Sequence, residues 1–424
     1  MSRSILALLL FSGLLARSAE GADDWLRFRG PDGSGASPAT GLALTWGDGK
    51  NVLWEAKLPG RGASSVIIVG DRAFLTCYSG YGLDKNNPGD KGDLKLHLVC
   101  YDARKGSKLW DQSVESTESV QGYGRFVALH GYASSTPVSD GRSVYAFFGP
   151  NGVIAYDLEG KLLWRKKLGK KTHVFGTANS PVLYENLVII NAGVESGRLV
   201  GLDKKSGKVV WEASGMKSSW NTPSLVKAES GRVELVVNTK GKLRAYDPKT
   251  GTELWTCSAI NDYICPSVIS HAGTVYAIGG RSATAVAVRA GGKGEVEPLW
   301  KTNAGSNVSS PVYYKGNLYW VSDKGIAHCL DAKTGKVVYQ ERLKNTGRVY
   351  ASVLLAEDRL YAVSREKGTW VLAAQPEFKQ LAHNVFESDD SVFNGSPAIL
   401  GAAIYLRSDE KLYCIGKGDK KTRL

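Results

Sequence analysis

An eleven-residue phrase that ends in tryptophan recurs along this chain of 424 residues. It is best preserved at 100–110, 201–211 and 245–255, and weaker copies lie at 155–164 and 329–339. The copies that begin at residues 201 and 245 are 44 residues apart. Repeats of this length are typical of small units that cannot bury their apolar faces alone and therefore stack on one another. The repeat predicts an array of similar small sheets.

Each repeat predicts four short β-strands. A Ser/Thr-Pro pair, or one like it, opens the first strand, where the missing proline N–H removes no ladder hydrogen bond. A second apolar strand carries a tyrosine or phenylalanine. The phrase itself supplies a third strand, a turn with aspartate and glycine, and a fourth strand that ends in tryptophan. Four antiparallel strands are the unit of a β-propeller blade.

The repeats predict eight blades. Their first strands are expected to begin near Ser65, Thr136, Ser180, Thr222, Cys265, Ser310, Ser352 and Ser396. The last copy has only three strands before the chain ends, and residues 51–55 resemble a fourth strand with their own Trp54. We therefore predict an all-β fold: an eight-bladed β-propeller of four-stranded antiparallel blades, closed by an N-terminal strand that removes the free sheet edges. The seventh copy lacks the tryptophan and has Phe378 and Leu381 nearby.

The two ends of the chain are expected to lie outside the propeller. Residues 1–18 have a basic start, a short apolar run and small residues before Ala19, which indicates a signal peptide with a second cleavage choice at residue 21. Residues 19–49 form an N-terminal extension, 50–416 the propeller and 417–424 a basic tail. We expect an exported monomer, periplasmic or extracellular, without a transmembrane anchor.

The six cysteines allow two interpretations. Export permits disulfides, and the pairs Cys77/Cys100 and Cys257/Cys265 are each close enough in sequence for a bridge. However, Cys100 and two further cysteines occupy one repeat position at which other copies have alanine or glycine, so they also fit as small buried hydrophobes. The sequence leaves the choice open.

The formal net charge of +13 favours anionic partners. The charges are scattered through predicted turns, and basic and aromatic residues do not interleave on one strand, so a nucleic acid is not an expected partner. Neither a nucleophile elbow nor a phosphate-binding glycine loop is present in the sequence. No catalytic residue and no metal site are predicted.

The repeat resembles the quinoprotein, or PQQ-type, propeller repeat. The match is the pattern Ala/Cys-x-Asp-x-x-Thr/Ser-Gly-x-x-x-Trp, clearest at 201–211 and 245–255, and it extends over nearly all of the chain after the signal peptide. Known carriers are the PQQ-dependent alcohol dehydrogenases and non-catalytic propellers such as BamB of the outer-membrane barrel-assembly machinery. A third group, exported bacterial propellers without an assigned activity, begins like Trp25-Leu26-Arg27-Phe28-Arg29-Gly30-Pro31.

The resemblance leaves the cofactor open. In the dehydrogenases an adjacent cysteine pair stacks on the quinone and a calcium ion binds nearby. This chain has no adjacent cysteines, and no residue matches a calcium ligand of that family. The leading hypothesis is a ligand- or protein-binding scaffold in the cell envelope without catalysis. A PQQ-dependent oxidoreductase is the alternative, and a carbohydrate-binding propeller is a weaker one.

A binding site is expected where the loops that enter the first strands gather around one mouth of the central channel. Aromatic, amide and a few charged residues precede these strands, a mixture that suits a protein or a small polar ligand. Turn capping and channel plugging are the alternative roles for the same residues. The predicted ligand-binding residues are His130, His173, Asn179, Trp220, Asn221, Tyr263, Asn307, Arg348, Tyr350 and Asn394.

Overall fold

The computed structural model describes residues 24–117 and 119–418. The predicted signal peptide and most of the basic tail lie outside these residues. Within them the fold is all-β, and its helical structure consists of three single-turn 3-10 helices at Lys91–Asp93, Val127–Leu129 and Gly149–Asn151. In this part of the chain, no helix has the length and apolar character needed to cross a membrane.

The strands form eight sheets of the same kind. Strand β1 (Val52–Lys57) comes first in the chain. Blades 1 to 4 follow, with strands β2 (Ile67–Val69), β3 (Arg72–Ser79), β4 (Lys95–Asp102) and β5 (Lys108–Glu115); β6 (Val138–Ser139), β7 (Ser143–Phe147), β8 (Val153–Asp157) and β9 (Leu162–Lys166); β10 (Val182–Tyr184), β11 (Leu187–Ala192), β12 (Arg198–Asp203) and β13 (Val209–Ser214); β14 (Ser224–Lys227), β15 (Val233–Thr239), β16 (Lys242–Tyr246) and β17 (Glu253–Ser258).

Blades 5 to 8 repeat the pattern with one added strand. Their strands are β18 (Ile269–His271), β19 (Thr274–Gly279), β20 (Thr284–Arg289) and β22 (Trp300–Thr302); β23 (Val312–Tyr314), β24 (Asn317–Val321), β25 (Ile326–Asp331) and β26 (Val337–Arg342); β27 (Leu354–Ala356), β28 (Arg359–Val363), β29 (Thr369–Ala373) and β30 (Gln380–Asn384); β31 (Ala398–Leu400), β32 (Ala403–Arg407) and β33 (Lys411–Ile415). The added strand, β21 (Gly294–Val296), pairs in parallel with β17 of blade 4.

The N-terminal strand closes the ring, as the sequence predicts. Strand β1 pairs antiparallel with β33, and this places Trp54 opposite Cys414. Blade 8 therefore takes three strands from the end of the chain and its outer strand from the beginning. The eight-bladed prediction and its mode of closure are both confirmed.

In five blades the repeated tryptophan packs against the following blade, whereas in blade 4 the Trp255 Nε1 donates to the Glu234 carboxylate of the same blade at 2.7 Å. In each of the five, the indole lies on a turn glycine where a Cβ atom would be only 2.4–3.0 Å away, so no larger residue fits there. Its Nε1 donates to a backbone carbonyl of the same turn at 2.8–3.2 Å. The tryptophan–glycine pairs are Trp54–Gly106, Trp110–Gly160, Trp164–Gly207, Trp211–Gly251 and Trp300–Gly335. The repeat thus encodes the contact between neighbouring blades.

Blade 7 shows why one copy lacks the tryptophan. In β30, Ala382 stands opposite Val371, where other blades have an aromatic residue. The next blade is built from both chain ends and so has no turn between its third and fourth strands to receive an indole. Trp46, which precedes β1, stacks on Tyr361 of blade 7 instead, with ring centroids 6.1 Å apart. Its backbone N–H donates to the Asn384 side chain at 3.0 Å.

All six cysteines are free thiols. Cys77 pairs with His97 across the ladder and Cys100 with Phe74, so the two cysteines do not face each other. Cys100, Cys329 and Cys414 are buried at equivalent places on the third strands, opposite the aromatic residue of the fourth strand. The interpretation of these residues as small hydrophobes is the one that the structure supports.

Candidate functional site

A closed ring of hydrogen bonds surrounds the channel axis. In each blade, the residue two positions before the first strand donates its backbone N–H to the hydroxyl of the equivalent residue in the next blade, at 2.9–3.1 Å. The eighth bond, from Ser396 to Ser65, closes the circle. The members of this hydroxyl ring are Ser65, Thr136, Ser180, Thr222, Ser267, Ser310, Ser352 and Ser396.

Blade 5 corrects the sequence register by two residues. The Cys265-Pro266 pair predicts a first strand that begins at Cys265, but Ser267 holds the equivalent ring position and β18 begins at Ile269. A hydroxyl is required there because the Thr222 N–H is buried and needs an acceptor. The thiol of Cys265 lines the channel just above the ring.

The O–H of each ring hydroxyl is not used as a donor within the ring. A serine or threonine hydroxyl has one O–H donor and two acceptor lone pairs, and the backbone N–H occupies only a lone pair. Among the described residues, none of the eight hydroxyls donates to a protein acceptor. All eight line one cavity. The ring therefore presents a convergent set of O–H donors to the channel.

The cavity lies at the predicted mouth and has a volume of about 220 Å³. Its upper wall on one side is an aromatic cluster from the loops that precede the first strands of blades 2 to 5. In this cluster the Phe175 ring lies 4.6 Å from Phe126, 5.1 Å from Tyr263 and 5.4 Å from Trp220, between centroids. His173 completes the aromatic cluster at 5.0 Å from Phe175. Such a surface suits a flat or ring-shaped ligand.

The opposite wall is polar but carries no formal charge. Asn307 and Asn394 line the cavity, and in each a buried side-chain Oδ1 has no hydrogen-bond partner among the described residues. Tyr350 also lines it, with the Arg365 guanidinium 4.6 Å from its ring centroid and outside the lining. Buried polar atoms normally find a partner. The two amide oxygens are therefore candidate contacts for a ligand.

The far end of the channel is closed by an N-terminal segment, residues 24–51. Trp25 pairs with Ile68 of blade 1, and Ala36 pairs with Leu355 of blade 7. Between them, residues 27–29 line a small cavity together with residues of blades 3 to 5, so the segment crosses the axis. Ile68 and Leu355 lie within first strands, beyond the hydroxyl ring as seen from the mouth. Phe28 lines the mouth cavity from below. The segment therefore forms the floor of the site.

Arg29 is part of this floor, and only one of its three guanidinium nitrogens has hydrogen-bond partners among the described residues. It is 3% exposed, and its Nη2 donates to the carbonyls of Ser34 and Pro311. Its Nε and Nη1 have no hydrogen-bond partner among the described residues. Burial lowers the pKa of Arg29 to about 9, and the charge of the exposed Asp32 opposes this shift. Arg29 is therefore a buried cation at neutral pH.

The comparisons with known proteins agree with this architecture. A family model described as outer membrane protein assembly factor BamB matches residues 95–341, more than half of the chain. The protein belongs to this BamB-type family of PQQ-like β-propellers. A solved BamB from Moraxella catarrhalis superposes on 88% of the chain and 98% of its own length, with a TM-score of 0.61 and 14% identity. At that identity the likeness shows the fold alone.

Two curated relatives are more similar in sequence but are matched only in part. BamB from Yersinia pestis is 22% identical over 287 residues, which are 62% of this chain and 69% of that protein. The tetrathionate hydrolase of Acidithiobacillus ferrooxidans is 26% identical over 242 residues, 51% of this chain and 47% of that enzyme. The matched region thus spans about half the length of the hydrolase.

In this BamB-type propeller, six of the ten residues predicted as ligand-binding line the mouth cavity together: His130, Trp220, Tyr263, Asn307, Tyr350 and Asn394. Two of them are also engaged in packing. Both ring nitrogens of His130 are bonded, to the Ser134 hydroxyl and to the Phe175 carbonyl, and burial lowers its pKa. The Trp220 Nε1 donates to Gly176 at 2.8 Å.

The other four predicted residues lie outside the cavity wall. Asn221 is fully buried and its amide donates to the Asn238 carbonyl at 2.6 Å, as expected for the alternative structural role. Asn179 is equally buried, between two lining residues, and its amide has no partner among the described residues. His173 borders a smaller cavity of about 40 Å³, and Arg348 is exposed at the mouth.

The sequence prediction missed the floor and the ring. Phe28 and Arg29 belong to residues 25–31, a segment before the first blade that carries no repeat signal to place it on the axis. In the sequence the ring hydroxyls mark the predicted strand starts. Seven of the eight predicted starts are Ser or Thr, and residues at one repeat position must meet at the axis of a closed ring. The eighth hydroxyl, of Ser267, is hidden because the Cys265-Pro266 pair predicts the start two residues too early.

The quinone cofactor of the dehydrogenases does not fit this site. The cavity contains one cysteine, Cys265, and no adjacent cysteine pair exists in the sequence. Across residues 24–117 and 119–418, no three His, Cys, Asp or Glu side chains are grouped so that they could hold a metal ion. The donors required for the quinone–calcium arrangement are therefore not assembled here.

Proposed function

We propose that this protein is an exported binding propeller that holds a small polar ligand at the mouth of its channel and serves as a scaffold in the cell envelope without chemistry of its own. The observation that carries the proposal is the mouth cavity, with aromatic rings on one wall and, on the other, amide oxygens that have no partner among the described residues. A wall of each kind is the usual composition of a small-molecule site.

The size of the cavity limits what enters it. Pockets that enclose a drug-sized molecule measure about 300–1,000 Å³, and this cavity measures about 220 Å³. It therefore accommodates one ring or one terminal unit of a larger ligand, with the remainder at the open mouth. There Phe126 is 47% exposed, and the Arg281 guanidinium lies 5.0 Å from the Tyr263 ring. A saccharide unit fits this pattern, because aromatic faces stack on sugar rings and amides bind hydroxyl groups.

The test is retention of ligands from envelope extract and on a glycan array, with the wild-type protein compared with a Phe126→Ala/Tyr263→Ala double variant. Leu163→Ala is the matched control, since Leu163 is an exposed apolar residue on an outer strand. We expect at least one species to bind the wild type and the control and to be lost from the double variant. Identical retention by all three proteins would contradict the proposal.

The quinone alternative is tested separately. A ligand that binds only the folded state raises the melting temperature by mass action. Because the quinone–calcium donor set is not assembled at the mouth, we expect PQQ with calcium to leave the melting temperature unchanged. A saturable rise in melting temperature would favour the oxidoreductase alternative instead.

A further inference from the structure

We propose that the hydroxyl ring at the waist of the channel is an anion site, which binds either a free inorganic oxyanion or the carboxylate or sulfate end of the ligand held at the mouth. The inference rests on the proposed function in one respect: the ring is the inner end of the same cavity. The anion site adds to the proposed function the chemical class of the group that reaches the inner end of the cavity.

The hydrogen bonds of the ring make each hydroxyl a better donor toward the channel. Each hydroxyl oxygen accepts a backbone N–H from the preceding blade at 2.9–3.1 Å. Accepting this bond polarises the hydroxyl and makes its own hydrogen a better donor. Eight such donors around one axis stabilise an acceptor-rich group at the centre. The second lone pair of each oxygen could also accept from a cation, so the surroundings of the ring decide the sign of the charge that it binds.

A positive charge lies beneath the ring. A lower cavity of about 10 Å³ shares Phe28, Thr222 and Ser267 with the mouth cavity and is lined by Arg27 and Arg29. Arg29 is buried and two of its nitrogens lack partners among the described residues. A buried charge without a counter-charge is costly, and an anion at the waist would supply one across the floor.

Negative charge does not compete with an anion in the described part of the chain. Neither the mouth cavity nor the lower cavity is lined there by an aspartate or glutamate. The carboxylate that acts on Arg29, Asp32, is exposed to solvent and therefore screened. Because the Arg29 guanidinium is buried, its electrostatic attraction to an anion is stronger than it would be at the surface.

The experiment is isothermal titration of the purified protein at constant ionic strength with three probes: sulfate, glucuronate and glucose. We expect saturable binding of sulfate or glucuronate. Sulfate binding as tight as glucuronate binding would assign the ring to a free oxyanion. Much tighter binding of glucuronate would assign it to the acidic end of a larger ligand. Either result supports the anion site.

Two pairs of variants locate the site. Arg29→Gln should weaken anion binding about tenfold, whereas Arg142→Gln, the same change at an exposed turn, should leave it unchanged. Ser310→Cys keeps the size of the ring member but weakens its donor, and we expect weaker binding. Ser310→Thr restores the hydroxyl, as in Thr136 and Thr222, and should keep the affinity within twofold. This second pair decides the question if Arg29→Gln does not fold.

The outcomes separate this inference from the proposed function. If neither anion binds the wild type, the ring holds water only and the inference is wrong, whether or not glucose binds. Binding of glucose alone would leave the proposed mouth site intact. Anion binding that is equally strong in Arg29→Gln, Ser310→Cys and the controls would place the anion elsewhere and also overturn the inference.

Discussion

Replacing Gly106 by alanine tests the closure of the ring at the tryptophan–glycine contact that joins blade 8 to blade 1. Gly106 has φ +73°, and a Cβ atom there would lie 2.5 Å from Cε3 of Trp54. A left-handed conformation costs a residue with a Cβ about 1–2 kcal/mol. Overpacking against the indole costs about 1–3 kcal/mol more. The expected loss in the free energy of unfolding is therefore about 2–5 kcal/mol.

Two further glycines separate these contributions. Gly207 has φ +65° and its Cβ would lie 2.6 Å from Trp164, so Gly207→Ala makes the same contact between two blades that are consecutive in the chain. Gly141 has φ +81° and nothing within 4 Å of a Cβ. Gly141→Ala should therefore lower the free energy of unfolding only by the cost of the left-handed backbone conformation, about 1–2 kcal/mol. Equilibrium urea unfolding, followed by tryptophan fluorescence, gives the three differences.

One pattern of unfolding free energies among the three variants would contradict closure of the ring. If β1 did not dock on blade 8, Trp54 would not reach Gly106, and Gly106→Ala would destabilise the protein no more than Gly141→Ala. Gly207→Ala would still show the larger loss, because its indole comes from the blade that precedes it directly in the chain. Equal losses for Gly106→Ala and Gly207→Ala are what the closed ring predicts.

Three other predictions follow from buried polar groups. Ser352→Ala leaves the buried N–H of Ser310 without an acceptor and should lower the free energy of unfolding in urea by about 1–3 kcal/mol. Ser230→Ala, at an exposed position, should change it by no more than about 0.5 kcal/mol. Equal effects of the two changes would contradict the ring bond. Burial raises the pKa of Glu195 from 4.5 to about 7. The contribution of Glu195 to the free energy of unfolding is therefore full below pH 4.5 and is lost as the pH rises to about 7. Glu195→Gln should flatten that part of the stability–pH profile, and an unchanged profile would be contrary evidence. Burial raises the pKa of each of the six thiols to about 11 or 12. The native thiols should therefore resist disulfide exchange at pH 8 and all six should react in urea; fewer than six reactive thiols would indicate a bridge.

The fold was predictable because one phrase encodes both a blade and its contact with the next blade. The aspartate and glycine specify the turn, and the tryptophan ends the outer strand and packs on the next glycine. The three-stranded last copy and the isolated Trp54 then left closure by the N-terminal strand as the simplest arrangement. Each inference used residues that are close in sequence or that share a repeat position.

The missing tryptophan of blade 7 shows where such reasoning ends. The absence of an indole there is a consequence of closure, since blade 8 has no turn to receive it. Trp46 takes over the contact with Tyr361 from more than three hundred residues away in sequence. No repeat position marks Trp46, and its role follows only once the ends of the chain are placed side by side.

The candidate site was predictable in its location but only partly in its members. Propeller geometry brings the loops before the first strands to one mouth, so Tyr263, Asn307 and Asn394 could be placed there together. It does not tell which side chain turns toward the channel. Asn221 satisfies its own loop, whereas the Asn307 Oδ1 is left without a partner among the described residues, and this difference depends on contacts between loops that carry no pattern.

The repeat and the departures from it have different consequences for binding. Any group that the repeat places on the axis is presented eight times, and a hydroxyl, which is a weak donor alone, becomes a convergent set. Symmetry of this kind selects a polar group that can make many hydrogen bonds but not a particular molecule. The unrepeated residues supply the rest: Phe28 and Arg29 set the depth and the sign of charge at the floor, and the aromatic cluster covers only one side of the mouth. A ligand that satisfies all of them has a flat body, hydroxyl or amide donors on the other face and an acidic group at its inner end.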